Sequence, residues 1–300
     1  MAAAAAVSYF GCMDRRTKTL LAMAAGCAAL FALVVLGAYF WHPGQTLDAE
    51  GLAGFVQARD GWLRPVAWRF TELGDPAQVA AITLVLAAFA LARGRPRLAL
   101  GVFALIAATS VSSQILKVLL SHPRFPPIFD YPVGPRALPS GHGTAAMSLT
   151  LAGVLVAPRR ARWAAAVIGS GLALAVGASV VAVGWHFPSD VIAGYLLATG
   201  WALTIFAGLH EANRRFPATD RWTRTTLARA SDRIATGGLA LLAVAAAAVA
   251  VLGTAAYVLA DPSGASCFAR EHTAFVVVAG GIASSAVALP VALAGVARRG

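Results

Sequence analysis

Apolar residues along this 300-residue chain gather into eight long blocks, at about 19–41, 75–92, 98–116, 142–158, 163–185, 188–208, 237–260 and 274–297, parted by short polar stretches. Blocks of this length cross a bilayer as helices, the second and fourth being the shortest. The pattern predicts an all-α, polytopic integral membrane helical bundle of about eight transmembrane helices. Between the first two blocks, "LDAEGLAGFVQARDGWLRPVAWRFTELGD" mixes apolar and charged residues around Trp62 and Trp68. Such a stretch suits a helix lying in the membrane interface.

Composition agrees with the pattern. Hydrophobic residues make up 59% and charged residues 12%, against roughly 45–50% and about 25% in soluble domains. The net charge of +11 raises the question of nucleic acid, but its distribution answers otherwise. With the amino terminus inside, 17 of the 24 basic residues fall in the inner segments, in clusters at Arg15–Lys18, Arg93–Arg97, Arg159–Arg162, Arg214–Arg233 and Arg298–Arg299. Seven fall outside. This is the positive-inside bias, with both termini cytoplasmic and no nucleic-acid partner expected. Cys12, Cys27 and Cys267 have no spacing that suggests a disulfide framework or a metal site.

"MDRRTKTLLAMAAG" from Met13 reads as a more usual start than Met1. Block 19–41 is longer than a signal-peptide core and lacks a small-residue cleavage site, so it is expected to be retained. The expected organisation is a cytoplasmic segment 1–18, a six-helix membrane core 19–208, a cytoplasmic connection 209–236 and a transmembrane hairpin 237–297. The hairpin is rich in Ala, Gly and Val, which favours close packing against the core or a second copy of the chain, making a homo-oligomer one arrangement to test.

Three polar clusters interrupt the apolar pattern, and the alternation of spans brings all three to the outer face. Lys117 and Arg124 lie in and after the third span, "PSGH" at 139–142 opens the fourth, and His186 and Asp190 lie between the fifth and sixth. Free amides at a helix start bind anions, and Gly141 leaves that backbone unobstructed. Lys117 and Arg124 add positive charge, so the ligand these groups suit is a phosphate. His186 can then act as nucleophile, oriented by Asp190, while His142 protonates the leaving group. Basic residues and the helix end supply charge that a metal clamp would otherwise supply, so no metal or other cofactor is expected. Taken singly, His142 and Asp190 would be ordinary helix-start residues, and Lys117 and Arg124 head-group anchors.

Together these residues resemble the type 2 phosphatidic acid phosphatase family, which shares a helical fold with vanadium haloperoxidases. Its pattern is KxxxxxxRP, PSGH and SRxxxxxHxxxD. Lys117 and Arg124 match the first motif, with Phe125 in place of its proline. Pro139, Ser140, Gly141 and His142 give the second intact. Ser179, His186 and Asp190 give the third in register, with Val180 where the family has arginine. The resemblance spans about residues 60–208. It implies a phosphohistidine at His186, orientation by Asp190, protonation by His142, and phosphate held by Lys117, Arg124, Ser140 and Gly141.

The expected activity is hydrolysis of a lipid phosphate or diphosphate on the outer, periplasmic side of a bacterial inner membrane, with membrane lipids as partners. A phosphotransferase would use the same residues. A non-catalytic lipid-binding or assembly protein would keep the fold without turnover. Val180 removes one phosphate contact, worth on the order of 3 kcal/mol, or about a hundredfold in rate. That leaves either a weakened site or a replacement, for which Arg136, four positions before Ser140, is the best candidate. His122 and His272 read as surface residues, and Trp185 and Phe187 as interface aromatics.

Overall fold

The computed structural model describes residues 13–58, 63–124, 133–217 and 261–298. These residues form helices and no strands: α1 (Arg15–Phe40), α2 (His42–Ala58), α3 (Leu63–Glu72), α4 (Pro76–Ala92), α5 (Pro96–Leu119), α6 (Gly141–Val156), α7 (Arg162–Ala182), α8 (Pro188–Arg215), α9 (Pro262–Glu271) and α10 (Thr273–Arg298). The chain is an all-helical membrane bundle. Among the described residues, α1, α5, α7, α8 and α10 are long and apolar enough to cross a membrane, and the bent pair α3–α4 makes a sixth candidate. The expected fourth span is the 16-residue apolar helix α6. The expected seventh, 237–260, lies outside the described residues, as does most of the 209–236 connection.

Short α6 sits in the middle, touching α4, α5, α7, α8 and α10. Eleven of its 16 residues are buried. A helix apolar all round needs such surroundings, and one enclosed by other helices need not match the hydrocarbon thickness. By contrast α1 and α5 turn Leu33, Leu36, Leu100, Val111 and Leu119 outward, with Leu119 at 73% exposure. That much uncovered apolar surface suits lipid contact and would be a liability in water.

The interfacial stretch forms two helices, α2 and α3. Helix α2 packs on α1, α7, α8 and α10, and α3 packs on α7. The turn from α3 into α4 bends the chain by 58°. Pro76 at the first position of α4 cannot continue the preceding helix, and its fixed φ suits the start of a new one.

Helix α10 lies against α2, α6, α7 and α8. Ile282, Ala286 and Leu293 are fully buried on its inner face. The expected packing of this terminal segment on the core is present for its described part.

The helices set two chemically distinct ends. At one, arginines reach helix carbonyls: Arg93 donates to Val156 O at 2.8 Å and Arg16 to Val296 O at 3.0 Å. Arginine is favoured there by the negative end of the helix dipole. At the other end, α5 finishes with Lys117, α6 begins after Ser140, and α7 turns into α8 through His186.

Candidate active site

Ser140 is the N-cap of α6, with extended dihedrals, and its Oγ accepts from Gly143 N at 3.2 Å. One helix-start donor is thereby satisfied, while the amides of Gly141 and His142 have no acceptor within the helix. Lys117 lies over this turn. A Cβ built on Gly141 would stand 3.7 Å from Lys117 Nζ, so the ammonium group and the open amides border one space.

The approach to His186 depends on how α7 ends. Trp185 N bonds Val180 O at 3.1 Å and Gly184 N bonds Val181 O at 2.9 Å, the pair of reversed bonds of a Schellman motif. It requires a left-handed residue after the cap, and Gly184 supplies it with φ 80°. The chain then enters α8 at Pro188. Asp190 takes Phe187 N–H at 2.9 Å on Oδ2, and the same oxygen lies 3.4 Å from His186 Nδ1. The helix-start carboxylate and the histidine partner predicted from the sequence are therefore one group with two bonds. Ser140 N donates to the Asp190 carbonyl at 2.8 Å, locking the two motifs together.

His142 and His186 are close enough to interact electrostatically, as are His142 and Lys117. Lys117 is similarly coupled to Asp190. Lys117, Ser140, Gly141, His142, His186 and Asp190 thus share one end of the bundle.

Arg124 is placed differently from the sequence expectation of an open phosphate fork. Its guanidinium ion-pairs with Asp190 Oδ1 and with Asp48 Oδ2, the latter at 3.1 Å, and donates to Ser189 Oγ at 3.2 Å and Ala38 O at 3.3 Å. The rings of Tyr39 and Phe187 each lie 4.7 Å from its Cζ. Both terminal nitrogens are thus engaged by protein acceptors. Asp48, on α2, also accepts from Ser189 N at 2.9 Å and Ser189 Oγ at 2.6 Å. One guanidinium faces two buried carboxylates. Burial, opposed by Arg124 and reinforced by the neighbouring Asp190 charge, pushes the Asp48 carboxyl up to about 6.

Asp75 is the second site residue that the sequence reading missed. It stands at the N-cap of α4 yet makes no side-chain cap bond; its Oδ1 instead lies 3.2 Å from His142 Nε2. Gly74 permits the approach, since a Cβ there would sit 2.5 Å from His142 Cδ2. The usable signal was a helix-capping aspartate beside a glycine on the outer side. Trp185 also does more than mark an interface: its ring is 5.5 Å from His142 and edge-on to Trp68 at 5.2 Å.

Val180 is fully buried in the core and Arg136 is exposed. His122 is half-buried and stacks on Tyr39. Among the described residues, no group of three or more His, Cys, Asp or Glu side chains converges as a metal site.

Two comparisons meet this geometry. Residues 79–214 match the family model described as the PAP2 superfamily. The matched segment is a little under half of the chain. All three motifs fall inside it, whereas Asp48, Asp75 and α10 do not. A crystal structure of a transmembrane PAP2-type phosphatidylglycerolphosphate phosphatase from Bacillus subtilis is similar in fold, with a TM-score of 0.52 at 20% identity, over 64% of this chain and 98% of that one. No curated protein matches the chain in sequence.

Proposed function

We propose that the chain is a membrane phosphatase that hydrolyses a lipid phosphate or diphosphate through a phosphohistidine. The observation that carries this reading is the bond from Ser140 N to the Asp190 carbonyl at 2.8 Å, which holds the His142 turn against the His186–Asp190 pair. With Nδ1–H of His186 directed at Asp190, the Nε2 lone pair is the nucleophile. It forms the P–N bond as the P–O bond to the lipid breaks, and His142 gives the departing alkoxide its proton. Water then attacks phosphorus, His142 takes the water's proton, the P–N bond breaks and orthophosphate leaves.

Lys117 and the amides of Gly141 and His142 stabilise the equatorial phosphate oxygens. Arg124 acts mainly by fixing Asp190, since both of its terminal nitrogens already have protein acceptors. A lipid substrate fits a site at helix ends, where the head group reaches the polar residues while the tails stay in the bilayer. The charge distribution supports an outer, periplasmic position for that end in a bacterial inner membrane.

The test is orthophosphate release by the purified protein from phosphatidic acid, phosphatidylglycerol phosphate and an isoprenyl diphosphate. Release from at least one, abolished by His186→Ala, is expected. Full activity without His186 overturns the mechanism, and inertness on the whole panel favours a binding protein. Reporter fusions after residues 135 and 270 should report the outer side, and those after 95, 160 and 220 the inner side. An inner report at 135 removes the periplasmic assignment.

A further inference from the structure

Helix α2 lies outside the segment that matches the family model, yet it sends one carboxylate into the site. Asp48 accepts from Ser189 N at 2.9 Å and Ser189 Oγ at 2.6 Å, at the start of α8, and from Arg124 at 3.1 Å. The other terminal nitrogen of Arg124 pairs with Asp190 Oδ1, and Asp190 Oδ2 lies 3.4 Å from His186 Nδ1. Asp48, Arg124, Asp190 and His186 thus form one line of contacts.

Burial makes the charge along this line count. The side chains of Asp48, Arg124 and Asp190 are 6%, 7% and 0% exposed. Tying α2 to α8 through Ser189 needs only an acceptor, which a neutral amide would supply without the desolvation cost of a carboxylate. Asp190 by itself neutralises Arg124. With both carboxylates ionised, the three side chains keep one net negative charge, and Asp48 is ionised above about pH 6, the level to which burial pushes it up.

Few other titratable groups surround the cluster. From α1 comes Tyr39, whose ring faces Arg124 and stacks on His122. From the end of α5 comes Lys117, close enough to Asp190 to feel its charge but placed over the Gly141 turn, where it meets the phosphate. Helices α7 and α10 each carry a single charged residue, Arg162 and Arg298, at their ends remote from the site. His42 and Glu50 of α2 are exposed. His186 is the group beside Asp190 that gains charge in the reaction: with Nδ1–H kept and Nε2 bonded to phosphorus, its ring is cationic.

We propose that Asp48 is a positioning residue for this step, holding Arg124 between two carboxylates so that the cluster keeps one negative charge to set against the cationic His186 ring. The role rests on the phosphohistidine reading and adds to it a group from outside the matched segment.

Asp48→Asn keeps an acceptor for Ser189 and removes the charge. On a lipid phosphate kcat should fall roughly tenfold, with KM little changed because buried Asp48 does not reach the substrate. The acid limb of kcat/KM should move to lower pH, because the His186 imidazolium loses support. Asp48→Glu restores the charge and should recover most of the rate. A residue that served packing alone would lower activity without moving the limb or separating kcat from KM.

The same shift is read without turnover by nitrogen-15 NMR of histidine-labelled full-length protein in a non-ionic detergent, the His186 signals being those lost in His186→Ala. They should pass from the protonated to the neutral form at lower pH in Asp48→Asn than in the wild type. Ser189→Ala keeps every charge and takes one donor from the Asp48 carboxylate, so it should move them the same way by less, and it serves if Asp48→Asn does not fold. A wild type inert on every lipid phosphate fails the phosphatase reading and leaves this titration to decide the role of Asp48. His186 signals that titrate alike in the wild type and both variants overturn that role, as does an unchanged kcat in Asp48→Asn.

Discussion

Asp75 and His142, 67 positions apart, meet at 3.2 Å across the bend between α3 and α4. The pairing sets aside a helix cap in order to orient a histidine. Asp75 holds the edge of the imidazole, and with it the direction in which His142 can deliver a proton.

Asp75→Asn should therefore slow hydrolysis of alkyl phosphates roughly tenfold or more, a share of the 10²–10⁴-fold typical of general acid–base catalysis. An activated aryl phosphate, whose leaving group needs little protonation, should suffer much less. Steady-state rates on the two substrate types make the comparison. Equal losses on both would assign Asp75 to folding alone.

Asp48 carries a stability prediction. Its carboxyl is pushed from 3.8 to about 6 in the folded chain, by burial first and against the pull of Arg124. The folded state holds a proton that the unfolded state releases, so this contribution is fully present below 3.8 and is lost as pH rises through about 6. Asp48→Asn keeps an acceptor for Ser189 N and has nothing to titrate. The difference in unfolding midpoint between wild type and variant should change across about pH 4–7. Parallel curves would show that Asp48 stays ionised beside Arg124.

Arg136 is exposed and has no hydrogen bond or ion pair among the described residues, which leaves its guanidinium available to a substrate. If it replaces the arginine absent at 180, Arg136→Ala should lower turnover by roughly tenfold to a thousandfold, the range for one lost oxyanion contact. Val180→Arg carries its own cost, since position 180 is fully buried, so its unfolding midpoint must be measured beside its activity. A silent Arg136→Ala would end the compensation idea.

Helix α10 should contribute to stability through its inner face. Ile282→Ala removes a fully buried side chain and should cost about 2 kcal/mol or more. Val287→Ala, at a position 49% exposed, should change the midpoint little. Similar midpoints for the two variants would mean that α10 is not part of the packed body.

Much of the molecule was legible in the chain itself. Long apolar blocks must become helices in lipid, because every backbone donor and acceptor there needs an internal partner. Helices α1, α4, α5, α6, α7, α8 and α10 accordingly fall on the expected blocks. Pro139–His142 and His186–Asp190 were readable because they are local: a cap and its helix, a histidine and the carboxylate one turn on. The roles of Arg124, Asp48 and Asp75 were not readable. A guanidinium offers the same donors to phosphate or carboxylate, and only the fold brings Asp48 and Asp190, 142 residues apart, onto one Arg124. Likewise, an aspartate before Pro76 satisfies the local rule for a helix cap. Only the 58° bend and the missing side chain at Gly74 bring it to His142, because long-range polar pairs depend on where helices cross, which residue spacing along one chain does not encode.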